Sequence, residues 1–172
     1  MKNLEKRKKK IRMRILFVFL SFVFVGTISF AQNRDLETIN TLINNWHKAA
    51  TNANAPAFFG FMSDDCIYIG TDPTEHWTKN EFVKFAKPYF DKGKAWDFKP
   101  LERHIYFSGN HKIAWFDEIL NTWMGICRSS GVLQKQKRQW KLVHYQLSVT
   151  VPNDKIKDFI QLIDAEPLPH NE

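Results

Sequence analysis

The stretch WKLVHYQLSVTVP, Trp140 to Pro152, decides how the rest of the chain is read. Side chains of a strand point alternately to opposite faces. Val143, Tyr145, Leu147, Val149 and Val151 therefore share one face, and Leu142, His144, Gln146, Ser148 and Thr150 share the other. The first set is apolar throughout. The second opens with Trp140 and Leu142, as a core strand would, and then turns polar without becoming charged. What that second face looks at is the question the fold has to answer.

Working outward, the chain from about 95 to 152 reads as successive strands. Ser108-Gly109-Asn110-His111 lies between IYF and IAWF and fits a type II′ hairpin. Gly125, Ser129-Ser130-Gly131 and Lys137-Arg138-Gln139 are further turns or bulges. Upstream the period changes. Apolar residues at 36, 39, 42, 43, 46, 49 and 50 follow a helical repeat, with Asn33 or Asp35 as N-cap. Asn54 and Pro56 start a short helix, Cys66 to Ile69 a strand, and Gly70-Thr71-Asp72-Pro73 a turn before a short return through Glu75 to Trp77. Thr78-Lys79-Asn80-Glu81 is a capping box for a helix presenting Phe82, Phe85, Ala86, Tyr89 and Phe90, which Pro88 bends or shortens and Gly93 ends. Asn153 caps a last helix with Ile156, Phe159, Ile160 and Ile163 on one face, ended by Pro167-Leu168-Pro169. Helices first and strands last imply an α+β domain: a curved antiparallel sheet wrapped around helices to form a cone.

The net charge of +7 does not mark a nucleic-acid binder. Residues 1–31 hold eight Lys or Arg and one Glu, and the remainder balances 17 basic against 17 acidic side chains. That first segment has the parts of a signal peptide: a cationic stretch, an apolar run from Ile15 to Ile28, and Ser29-Phe30-Ala31 before a cleavage point. It predicts an exported protein, periplasmic or secreted, free of the membrane after cleavage. The alternative is an N-terminal membrane anchor. The expected organisation is a signal peptide over 1–31, one domain over 32–165 and a tail over 166–172. Cys66 and Cys127 either pair, as export permits, or stay as buried thiols.

The segments DDCIYIGTDPTEHWTKNEF, AWFDEIL, SSGVL and QWKLVHYQLSVTVPND, in this order, resemble the SnoaL-like branch of the nuclear transport factor 2-like superfamily, whose members are often labelled ketosteroid-isomerase homologues. The resemblance runs from about Leu36 to Ile160 and implies a cystatin-like cone. Its members include isomerases, dehydratases, cyclases, epoxide hydrolases and non-catalytic binding modules, so fold alone does not give activity. In such proteins one sheet face lines a pocket and the other packs against a second subunit. This places His144, Gln146 and Ser148 in the cavity and makes Val143, Tyr145, Leu147 and Val149 a homodimer surface.

The expected pocket joins His144, Gln146 and Ser148 to Asp117 or Glu118, with Trp46, Tyr68, Trp77 and Trp115 as walls. A carboxylate there acts as general base with His144 as partner or acid. Alternation allows only one of Asp117 and Glu118 to face inward, and Asp117, which shares its face with Trp115, is preferred. The polar residues serve equally well as a satisfied internal network. No cofactor is expected, and no metal, because no His/Cys spacing supports one. Lys135-Gln136-Lys137-Arg138 is a solvated hairpin tip and makes no nucleic-acid surface. The leading expectation is an exported homodimer binding a small apolar or amphipathic molecule. The alternatives are a cofactor-free isomerase, dehydratase or hydrolase using Asp117 or Glu118 with His144, and a purely dimeric interaction domain.

Overall fold

The computed structural model describes residues 34–163. The expected signal peptide with its cleavage point at Ala31, the Asn33 cap, the Pro167-Leu168-Pro169 stop and the tail lie outside the described residues. The chain divides into two compact units, 1–44 and 45–172. In the first, the described residues form the opening turns of helix α1, which spans 34–51. Among the described residues no helix is long and apolar enough to cross a membrane.

The second unit holds the end of α1, helix α2 (Ala55–Phe61), strands β1 (Met62–Ile69) and β2 (His76–Thr78), and helix α3 (Lys79–Asp91). Strands β3 (Lys99–Phe107), β4 (Ile113–Thr122), β5 (Gly125–Gln136) and β6 (Gln139–Val149) follow, then a single 3₁₀ turn (Asn153–Lys155) and helix α4 (Ile156–Ile163). Local chemistry sets the boundaries. Asn54 Oδ1 accepts from Ala57 N–H at 3.1 Å and caps α2. Thr78 and Glu81 exchange backbone and side-chain bonds at the start of α3, forming the predicted capping box. Pro88 does not end α3, which runs on to Asp91.

The sheet has six strands in the order β2-β1-β6-β5-β4-β3. It is mixed rather than antiparallel, because β1 lies parallel to β6 while the other four pairings are antiparallel. β1 and β6 are distant in sequence, so no tight hairpin forces them to oppose. Two turns differ from expectation. The 108–111 turn closes through His111 N–H to the Ser108 carbonyl at 2.9 Å, and His111, not Gly109, takes the positive φ, so it is not type II′. Ser129-Ser130-Gly131 is no turn but the middle of β5. Gly131 is there because a Cβ would lie 2.5 Å from Cε1 of the Phe116 ring crossing over it.

The decisive difference is in β6. Between Leu142 and His144 the pairing with β5 slips, Leu133 facing Leu142 and Val132 facing His144, which leaves Val143 as an extra residue on β6; the pairing with β1 is irregular at the same place, with the additional residues on β1. A bulge of one residue inverts every side chain beyond it. Trp140 and Leu142 face the core, and after the bulge Tyr145 and Leu147 take over that face. Gln146 and Ser148 are exposed on the other side, and His144 is half-buried there, in register with Ile67 and Val132. The assignment of His144, Gln146 and Ser148 to the interior, and of Tyr145 and Leu147 to a subunit surface, is thereby reversed.

Candidate functional site

The inner face of the sheet carries two different environments, and both belong to the second unit. The first is a closed ionic network. Arg103, Glu118 and Ser129 are cross-strand neighbours on β3, β4 and β5, so strand register alone puts them on one rung. Arg103 grips Glu118 Oε2 through Nε at 2.8 Å and Nη2 at 2.7 Å. On the other oxygen, Glu118 Oε1 accepts from His47 Nε2 at 2.8 Å and from Ser129 Oγ at 2.9 Å. Oε1 thus accepts two hydrogen bonds and Oε2 one, with the guanidinium charge beside it, which meets the needs of a buried carboxylate. Burial is the largest influence on the Glu118 carboxyl and would raise its pKa; the hydrogen bonds and charges of His47 and Arg103 outweigh it and hold the group below its ordinary value.

The second environment is a cavity of about 260 Å³. Tyr68 on β1 and Leu147 on β6 form its floor; Trp77 comes from β2, Phe82, Phe85 and Tyr89 from α3, Trp96 and Phe98 from the segment before β3, and Trp123 and Met124 from the β4–β5 turn. Eight of its fourteen described lining residues are aromatic, so the walls are largely built of rings. They brace one another: Tyr68 stacks on Phe82 at 3.8 Å, Trp77 on Phe85 at 4.4 Å, and Tyr89 leans on Trp96 at 5.8 Å between ring centroids. Glu75 is the one charged side chain in the lining. Its Oε2 accepts from Thr71 N–H at 2.9 Å and Asp72 N–H at 3.2 Å, which folds the 70–75 turn back over itself. Gly70 permits this, because a Cβ at that position would fall on the Glu75 carboxylate. Burial, with the Glu75 charge adding to it, pushes the Tyr68 phenol far above its usual range and keeps it neutral.

Among the described residues the two environments do not merge. No member of the ionic network lines the cavity, and Phe98 stands between them, lining the cavity on one side and meeting the His47 ring edge-on at 6.1 Å on the other.

Of the residues predicted for the site, Tyr68 and Trp77 line the cavity. Trp46 lies deeper, packed on Phe58 at 4.9 Å and Tyr145 at 4.8 Å, as core. Glu118, not Asp117, faces inward. Asp117 is on the outer face, where its Oδ1 meets His104 Nδ1 at 3.2 Å. Trp115 is on that outer face too, stacked on Tyr106 at 5.8 Å. His144, Gln146 and Ser148 do not line the cavity, so the structure does not bring His144 together with either carboxylate. Cys66 and Cys127 are both buried free thiols, and burial pushes Cys66 up to about 12. No group of three metal-ligating side chains occurs among the described residues.

His47, Arg103 and Ser129 were not singled out for the site by the sequence. His47 had a signal, because it follows Ile43 by four on the apolar stripe of α1, where an ionisable residue needs a partner. Arg103 could be found only with the β3–β4 register in hand.

Solved structures share this fold. A nuclear transport factor 2-like protein of unknown function from Pseudomonas putida matches with a TM-score of 0.58 at 14% identity, over 69% of this chain and 89% of that one. A proposed ketosteroid isomerase from Parabacteroides distasonis matches at 0.55 and 18%, over 67% and 88%. A proposed dehydratase of the same family from Streptomyces avermitilis matches at 0.58 and 12%, over 70% and 99%. A comparison with curated proteins returns no match. Residues 39–152 match the SnoaL-like domain family, and with two-thirds of its length in that match the chain belongs to the SnoaL-like family.

Proposed function

We propose that the protein is a ligand-binding SnoaL-like domain that holds a small apolar or amphipathic molecule in the aromatic cavity. The observation that carries this reading is the separation of the two environments. A concave, mostly aromatic site with one polar handle is suited to binding. Acid–base chemistry needs a titratable pair within reach of the ligand, and the His47–Glu118 pair lies behind Phe98 with both Glu118 oxygens already taken by protein donors. The isomerase and dehydratase named among the structural neighbours therefore lend the fold without lending a catalytic residue.

The test is ligand-dependent tryptophan fluorescence and melting of the purified chain against small amphiphiles. Binding weakened by Tyr89→Ala supports the reading; absence of binding at millimolar concentration across the panel overturns it. The proposal includes a homodimer, moved to the outer sheet face. Its support there is the exposed apolar cluster of Tyr106, Ile113 and Trp115, neighbours on β3 and β4, which a partner subunit would cover. Sedimentation of Trp115→Glu, expected to shift dimer to monomer, checks it.

A further inference from the structure

We infer that the ligand is an organic cation, a quaternary or tertiary ammonium group, held by the aromatic walls and the Glu75 carboxylate. This rests on the binding reading above and narrows it to a charge class. Three features of the cavity converge. Aromatic faces carry partial negative charge and attract a desolvated cation placed within about 6 Å of their centroids. Trp77, Phe82, Phe85, Tyr89 and Trp96 all line the cavity and form a linked series of rings, neighbouring centroids lying between 4.4 and 5.8 Å apart, so an ammonium seated in the cavity has several aromatic rings within reach.

The second feature is the sign of the fixed charge. Among the described residues the lining contains Glu75 and no Lys, Arg or His, so its one formal charge is negative and favours a cation over an anion. Glu75 uses Oε2 on the two turn amides and presents its carboxylate at the cavity wall. The third feature is the shape of the ligand that fits. A quaternary ammonium with a short apolar or aromatic arm fills a space of about 260 Å³ without needing hydrogen-bond donors from the walls. An alkyl ammonium with N–H groups could in addition bond Glu75 directly. A neutral apolar molecule of equal volume would leave the carboxylate desolvated and unused, which costs affinity.

The experiment compares benzyltrimethylammonium with neopentylbenzene, its isostere with carbon in place of nitrogen, by tryptophan fluorescence titration of the full chain. The expected result is tighter binding of the cation by about tenfold, a difference removed by Glu75→Gln. Phe85→Leu, at a position on α3 that is 37% exposed, weakens the cation several-fold and the isostere less. Melting curves of both variants check that they fold. If both probes bind equally and Glu75→Gln changes neither, the cation assignment is wrong and the apolar binding reading stands. If neither probe binds, nor an anionic anilinonaphthalene dye, both readings fall.

Discussion

Two glutamates on the inner side of this domain show what surroundings do to one side chain. Glu118 is 1% exposed and has donors on both carboxylate oxygens. Glu75 is half-buried, held by two amides of its own turn, and borders an open cavity. A charge whose every partner is protein is committed to the fold, since removing any member strands the rest in low dielectric. A charge left facing a cavity has interaction energy still to give to a ligand. Substitutions in the first region should therefore change stability, and those in the second should change affinity.

The strongest way to break this division is Glu118→Ala. It leaves Arg103 and His47 buried without their common acceptor, and losing one partner of a buried pair costs roughly 3–5 kcal/mol. A large drop in the urea midpoint is expected, with ligand affinity of the folded fraction unchanged. A stable Glu118→Ala protein that had lost its ligand would place Glu118 in the site after all.

Acid titration sharpens the same point. The folded pKa of Glu118 lies below its unfolded value, so its contribution is complete above the unfolded pKa, about 4.3 for glutamate. It is lost as pH falls through the depressed folded value. Asp64, Asp72 and Glu81 are also held low, each first by a side-chain hydrogen bond from Lys79, Thr74 and Thr78. Some acid sensitivity therefore persists in any Glu118 variant. The part belonging to Glu118 is the difference between the parent and Glu118→Gln, and unfolding curves between pH 5 and 2 should show the variant flatter.

Gly131→Ala is the next largest effect. The new Cβ would sit 2.5 and 2.6 Å from Phe116 ring carbons and 3.1 Å from the His144 carbonyl. Phe116 is buried and cannot swing clear, so overpacking should cost about 1–3 kcal/mol. A turn glycine, as the sequence pattern of Ser129-Ser130-Gly131 implied, would show no such steric penalty.

That contrast marks how far the sequence could be read. Features written in a few consecutive residues were legible: the Thr78–Glu81 box, the Asn54 cap, the Gly70–Pro73 turn and the alternation of the long strands. The phase of β6 was not, because a single extra residue at Val143 moves everything after it to the other face. Its trace was present all the same. Trp140 and Leu142 are out of step with Tyr145 and Leu147, and two apolar pairs in opposite phase on one strand mean a bulge between them. A strand of one unbroken phase would carry His144, Gln146 and Ser148 inward, and a site built on His144 gives no reason to prefer Glu118 over Asp117. The ionic network itself needs three strands in register and a helix laid against them, and no local pattern encodes that juxtaposition.

The smallest expected change in stability is the most discriminating. Trp123 is 80% exposed on the β4–β5 turn, yet it lines the cavity. An exposed side chain away from caps and core usually shifts stability by less than about 0.5 kcal/mol when replaced, so Trp123→Ala should melt with the parent. A ring that closes over a bound molecule contributes about 1 kcal/mol, which corresponds to roughly a fivefold loss of affinity. The same titration that measures binding to the parent reads this directly. Unchanged affinity in Trp123→Ala would mean that the ligand sits deeper, against Phe98 and toward His47, and the two regions would then have to be treated as one.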